Sequence, residues 1–167
     1  MNEQNSLSDE VAAWFNRRVP EGWFSAPVRT LVDKDEILVV GSLATGSDAG
    51  RAEHEAVATK FRADTKADRI SIALAAEDFW QRKVSWAVEI GDVQMRFTTT
   101  SVPVMTRLRI DERLVLDTLV ETGVARSRSH ALAWCVRLVG QHQGDWIDRL
   151  RDAMADVERI RSEGPNV

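Results

Sequence analysis

The chain has 167 residues, 44% of them hydrophobic, with 26 acidic against 22 basic side chains for a net charge of −4. These fractions belong to an ordinary globular protein and exclude wholesale disorder and a surface coated in positive charge. The single cysteine, Cys135, excludes an internal disulfide and a CxxC metal framework.

No run approaches the roughly 18 uninterrupted apolar residues of a membrane span. The start, MNEQNSLSDE, lacks the basic and then apolar pattern of a signal peptide. A cytoplasmic protein without a membrane partner is expected. Residues 6–19 read as a first helix, with Ser8 as N-cap and Pro20 as stop. Extended stretches at 28–33 and 36–43 flank the polar pair Lys34-Asp35. From Ser47 to Arg82 the chain is proline-free and rich in Ala, Glu, Lys and Arg, the pattern of one long helix or two shorter ones. Val57, Phe61, Leu74, Phe79 and Trp80 are its expected buried side. Strands at 83–90 and 92–99 follow around Gly91-Asp92, with Trp86, Val88 and Ile90 sharing one face. The order α-β-β-α-β-β makes residues 1–102 an α+β domain of unassigned role, closing near Ser101-Val102-Pro103.

After Pro103 the side chains alternate, with Met105, Arg107 and Arg109 on one side and Thr106, Leu108 and Ile110 on the other. This reads as a short strand. Asp111 is the expected N-cap of a helix whose apolar pairs, Val115/Leu116 and Leu119/Val120, repeat at i, i+4. Gly123 is placed to end it. Ser127 then opens a second helix with Leu132, Cys135, Val136 and Val139 on one stripe, and Gly140 and Gly144 bracket a break. A last helix, about 145–161, aligns Trp146, Leu150, Met154, Val157 and Ile160. The expected organisation is therefore 1–102, 103–142 and a C-terminal helical extension, 143–167. Residues 104–142 hold six arginines against four acids, a basic segment inside an acidic chain.

The run TRLRIDERLVLDTLVETGVARSRSHALAWCVRLV, from Thr106 to Val139, resembles the ribbon-helix-helix family of DNA-binding proteins. The resemblance implies an intertwined homodimer, open to higher association, whose two strands pair antiparallel and lie in the major groove of double-stranded DNA. A groove roughly 12 Å wide admits such a ribbon. On the same grounds Met105, Arg107 and Arg109 are expected to contact bases. Arg126, Ser127, Arg128 and Ser129, around a helix N-terminus, are expected to contact phosphate. Leu108, Ile110, Leu116, Leu119, Leu132, Cys135, Val136 and Val139 are the implied dimer core. His130 stands where many members carry glutamate, so the reciprocal capping box is absent.

The expected function is a nucleoid-associated, dimeric transcriptional regulator that binds DNA sequence-specifically, with repressor, activator and architectural roles all open. One alternative is an antitoxin-type repressor whose last helix neutralises a partner protein; another is an enzyme with an N-terminal site. No catalytic set supports the enzyme. Gly41, Gly46 and Gly50 fit neither GxGxxG nor a phosphate loop, since Ser47 stands where the latter needs lysine. His54 is flanked by Glu53 and Glu55, which do not share its helix face. No catalytic residue, cofactor or metal site is expected.

Overall fold

The computed structural model describes residues 3–44, 46 and 50–163. The chain is α+β and divides after Val102 into two units. In the first, α1 (Glu3–Asn16) precedes the hairpin β1 (Arg29–Val32) and β2 (Glu36–Ser42). Helices α2 (Arg51–Asp64) and α3 (Lys66–Trp80) then lead to β3 (Lys83–Ile90) and β4 (Val93–Arg96). The strands lie in chain order, with β1–β2 and β3–β4 antiparallel and the central β2–β3 pair parallel. A parallel pair needs a crossover of a dozen or more residues, which α2 and α3 supply.

One face of the sheet carries the core. Ile37 pairs with Val84, Val39 with Trp86 and Gly41 with Val88, so the alternation along β2 and β3 brings these side chains to one side. They join Val11, Trp14 and Phe15 of α1, spaced at i, i+3 and i+4 as an amphipathic helix requires. Trp86, Val88 and Ile90 occupy that face, as the sequence alternation predicts. Leu38, Val40 and Ala87 form a smaller cluster on the other face.

Helix α1 begins at Glu3, so Ser8 lies inside it rather than capping it. Its hydroxyl donates instead to the Thr30 carbonyl (2.7 Å), while Thr30 Oγ1 donates to the Ser8 carbonyl (2.8 Å), latching α1 to β1. The long helical stretch is two helices broken at Thr65. The Thr65 hydroxyl donates to the Phe61 carbonyl (2.6 Å) and accepts from Arg69 Nε (2.9 Å), and Arg69 Nη2 reaches the Arg62 carbonyl (2.6 Å). An arginine thus closes the carbonyl end of α2. Burial, with the Arg62 charge beside it, lowers the pKa of Arg69 from its usual value.

The break resets the helical phase, and the expected buried side changes with it. Val57, Leu74 and Phe79 are exposed, Phe61 and Trp80 are partly buried, and His54, Ala58, Arg69 and Ala76 face inward. The start expected at Ser47 lies outside the described residues. Gly91 turns β3 into β4 with φ +55°, and a Cβ there would stand 2.4 Å from the His54 ring. His54 Nδ1 in turn lies 3.4 Å from Asp92 Oδ1.

The β1–β2 turn is held by Asp33, whose Oδ1 accepts from the amides of Asp35 (2.8 Å) and Glu36 (2.7 Å). Those two amides hold its carboxyl below the usual carboxylate range. Asp33→Ala is therefore expected to cost about 1 kcal/mol of stability at neutral pH, read by urea unfolding of the full chain. The contribution is complete above the ordinary aspartate pKa and disappears as pH falls through the lower folded value. A variant as stable as wild type at neutral pH would show that the turn does not depend on these bonds.

The second unit holds α4 (Ile110–Glu121), α5 (Arg128–His142) and α6 (Gly144–Glu163). The strand expected over 104–110 is absent: residues 101–109 have no regular structure, and Ile110 opens α4. Gly140 lies within α5, and the break falls at Gln143. Among the described residues no helix is long and apolar enough to cross a membrane.

Candidate nucleic-acid interface

Residues 101–109 reach α4 as exposed chain, with Leu108 alone half-buried. Met105 is 98% exposed, and Arg107 and Arg109 stand open beside it. No backbone ladder involves this stretch, and among the described residues no carboxylate pairs with either guanidinium. The N-cap of α4 is Arg109, not Asp111, because the Glu112 carboxylate accepts from the Arg109 amide at 2.6 Å. Asp111 and Glu112 instead fill the first turn, where the positive end of the helix dipole favours them.

Gly123 ends the α4 turn with φ +78°, and the amides of Gly123 and Ala125 close on the carbonyls of Val120 (3.1 Å) and Leu119 (2.9 Å). Ser127 caps α5, its Oγ accepting from the His130 amide at 3.2 Å. His130 Nδ1 accepts a longer bond, 3.4 Å, from the Arg126 amide. Ser127, Ser129 and Arg126 are exposed at this end of α5.

Arg128, expected at phosphate, is paired within its own chain. Its Nε and Nη2 donate to the two carboxylate oxygens of Asp117 on α4, at 2.6 and 2.7 Å. This fork-to-fork pair ties the start of α5 to α4. The hydrogen-bonded Arg128 guanidinium holds Asp117 below the usual carboxylate range and is itself raised. The pair engages two of the five N–H donors of the guanidinium and leaves three open. Asp117 escaped the sequence reading because it pairs across a turn, with no helical spacing to reveal it.

The implied dimer core divides into two groups. Leu116 is buried with Ala125 and Ala131, and Leu108, Leu119, Leu132 and Cys135 pack against them in the same chain. Ile110, Val136 and Val139 are 62%, 66% and 49% exposed, and Leu114 and Val115, outside the implied dimer core, are also open. The first group is an intrachain core. The second is an uncovered apolar surface on α4 and α5. Elsewhere, among the described residues, no group of three His, Cys, Asp or Glu is placed to hold a metal ion.

Residues 9–96 match the family described as Rv1265-like protein, N-terminal domain, and residues 109–161 match the Mb1296 C-terminal domain. Rv1265 of Mycobacterium tuberculosis and Mb1296 of Mycobacterium bovis are each 48% identical to this chain over 161 residues. That alignment takes in 94% of this chain and 71% of each relative. The chain belongs to the Rv1265-like family. The ribbon-helix-helix resemblance of Thr106–Val139 is thereby corrected: no ribbon-helix-helix family is recognised, and the family that covers this region starts at Arg109 and runs on through most of α6. A capped helix, a glycine turn and a serine-opened helix are common to many helical hairpins. The Rv1265-like family includes the first unit as well, which the resemblance left out. No solved structure matches the chain.

Proposed function

We propose that this protein is a homodimeric, sequence-specific DNA-binding protein that regulates transcription. The observation that carries the reading is the 103–109 segment: exposed chain whose two guanidiniums meet no carboxylate among the described residues, adjoining an uncovered apolar surface on the same unit. The Leu108 carbonyl and the Arg109 backbone are engaged by Arg113 and Glu112, and exposed chain before them with open backbone groups is a template for pairing with another chain. Two copies joined through Ile110, Leu114, Val115, Val136 and Val139 would pair their 104–109 segments antiparallel. The resulting ribbon is narrow enough for the major groove. Met105, Arg107 and Arg109 are then the base-facing set. Arg126 and the Ser127–Ser129 turn are the phosphate contacts at the start of α5, where free amides and the helix dipole favour an anion. Arg128 serves this reading as a brace between α4 and α5.

The test is binding of full-length protein to a randomised duplex pool with selection, followed by a salt titration on the enriched sequence. Enrichment of a two-fold symmetric site is expected, with log affinity falling against log salt by about 0.9 for each phosphate neutralised. Absence of any affinity at about 50 mM salt, where the phosphate term is strongest, overturns the proposal.

A further inference from the structure

The apolar residues of α6 recur at alternating steps of four and three: Trp146, Leu150, Ala153, Val157 and Ile160. A mean step of about 3.5 is that of a coiled-coil seam, and it holds a stripe in line against a supercoiled partner. Trp146, Leu150, Val157 and Ile160 are 54%, 47%, 49% and 61% exposed, and Met154 beside them is 56% exposed. Twenty residues of helix with one open apolar stripe and a charged opposite face is the form of a helix that pairs with another.

We infer that α6 pairs with α6 of a second copy as a parallel, two-stranded coiled coil. The flanking charges select a second copy as the occupant. With Leu150 and Val157 at the first core position of each heptad and Ala153 and Ile160 at the second, Arg149 and Asp156 border the seam on one side. Ile147, Met154 and Arg161 border it on the other. In a parallel pair a residue on the first side meets the residue five places further on in the opposite helix. Asp156 therefore meets Arg161 of the second copy, twice by symmetry, and Arg149 lies across Met154. No like charges face each other.

Arg161 has no carboxylate partner within its own chain among the described residues. By contrast, Arg151 pairs with Asp148, and Arg159 with Asp156 and Glu163. Arg159 engages Asp156 through Oδ1, at 3.3 Å, which leaves Oδ2 for a second cation. The inference shares its second copy with the proposed DNA-binding dimer but rests on α6 alone.

The test is disulfide formation in full-length protein with Cys135→Ser as background. In a parallel seam each residue faces its own copy, so Ile160→Cys should cross-link under mild oxidation. Asp152→Cys, on the opposite face of the same helix, is the control. The seam cysteine is expected to react about a hundredfold faster, because pairing converts the reaction into an intramolecular one. Adding Arg161→Glu should slow it, and adding Asp156→Lys to that variant should restore it. Equal rates at 160 and 152 overturn the inference, whichever partner then covers the stripe. Fast cross-linking in a protein without DNA affinity supports this inference while overturning the DNA-binding proposal. Selective DNA binding without preferential cross-linking does the reverse.

Discussion

Full-length protein carrying Arg107→Ala and Arg109→Ala together is expected to keep its oligomeric state and lose its preference among DNA sequences. Both side chains are exposed and form no ion pair among the described residues, so their removal takes nothing from the fold described. Arg109 serves the fold through its backbone, whose amide donates to the Glu112 carboxylate and whose carbonyl accepts from the Arg113 amide, and alanine retains both. A bidentate arginine–guanine contact discriminates by about 1–3 kcal/mol, and two-fold symmetry presents each arginine twice. Even at the low end, four such contacts total about 4 kcal/mol, roughly a thousandfold in selectivity. The measurement is a competition between the selected site and random duplex, alongside light scattering for mass. Discrimination equal to wild type would place recognition elsewhere on the molecule. Loss of the oligomer would show instead that these arginines hold the copies together.

Phe15→Ala is expected to have the largest effect on the first unit. Phe15 is 0% exposed, and its ring meets Trp14 at 5.0 Å and Trp86 at 5.7 Å, both edge to face. It joins α1 to the middle of the sheet, where β3 supplies Trp86. Deleting a buried phenyl ring removes its transfer energy and leaves a cavity, together about 3–5 kcal/mol. Against a usual domain stability of about 5–15 kcal/mol, that is a large share of the total. Urea unfolding followed by tryptophan emission should show the midpoint falling with an unchanged slope. A loss below about 1 kcal/mol would mean that the site collapses around the missing ring, contrary to a well-packed core.

Much of the first unit was legible because strands advertise themselves by alternation. Trp86, Val88 and Ile90 reveal their shared face in one dimension, and the Lys34-Asp35 turn marks the hairpin. The helices were harder to read. The break at Thr65 depends on a hydroxyl and a buried arginine reaching backward along the chain, and neither residue type announces a helix end. The contacts then fall on Ala58 and Ala76, which let helix and sheet approach closely, while the larger Leu74 and Phe79 point away. A reading that assigns the biggest apolar residues to the interior fails there.

In the second unit the caps and the glycine turn were readable, since Ser127 and Gly123 act on their own neighbours. Two features were not. The Asp117–Arg128 bridge joins residues that no helical period relates. The alternation at 104–110 is that of a strand, yet a single chain offers it nothing to pair with, and Glu112 draws the helix start back to Ile110. Local periodicity reports what a segment could form; a partner decides whether it does.

The parallel pairing of β2 with β3 also bears on how the chain survives its own synthesis. Ile37 cannot meet Val84 until both intervening helices have been made. At about 5–20 residues per second, β2 waits for seconds with one edge unpaired. β1 closes the other edge early, because its hairpin is local. The open edge, carrying Ile37, Leu38, Val39 and Val40 in succession, can meanwhile join the same segment of a neighbouring nascent chain. Holdase chaperones should therefore engage ribosomes stalled between Trp80 and Val84 and release those stalled well beyond Phe97. The 104–109 segment, proposed to pair one copy with another, emerges only after this edge can close, which would keep assembly between chains from competing with folding within them.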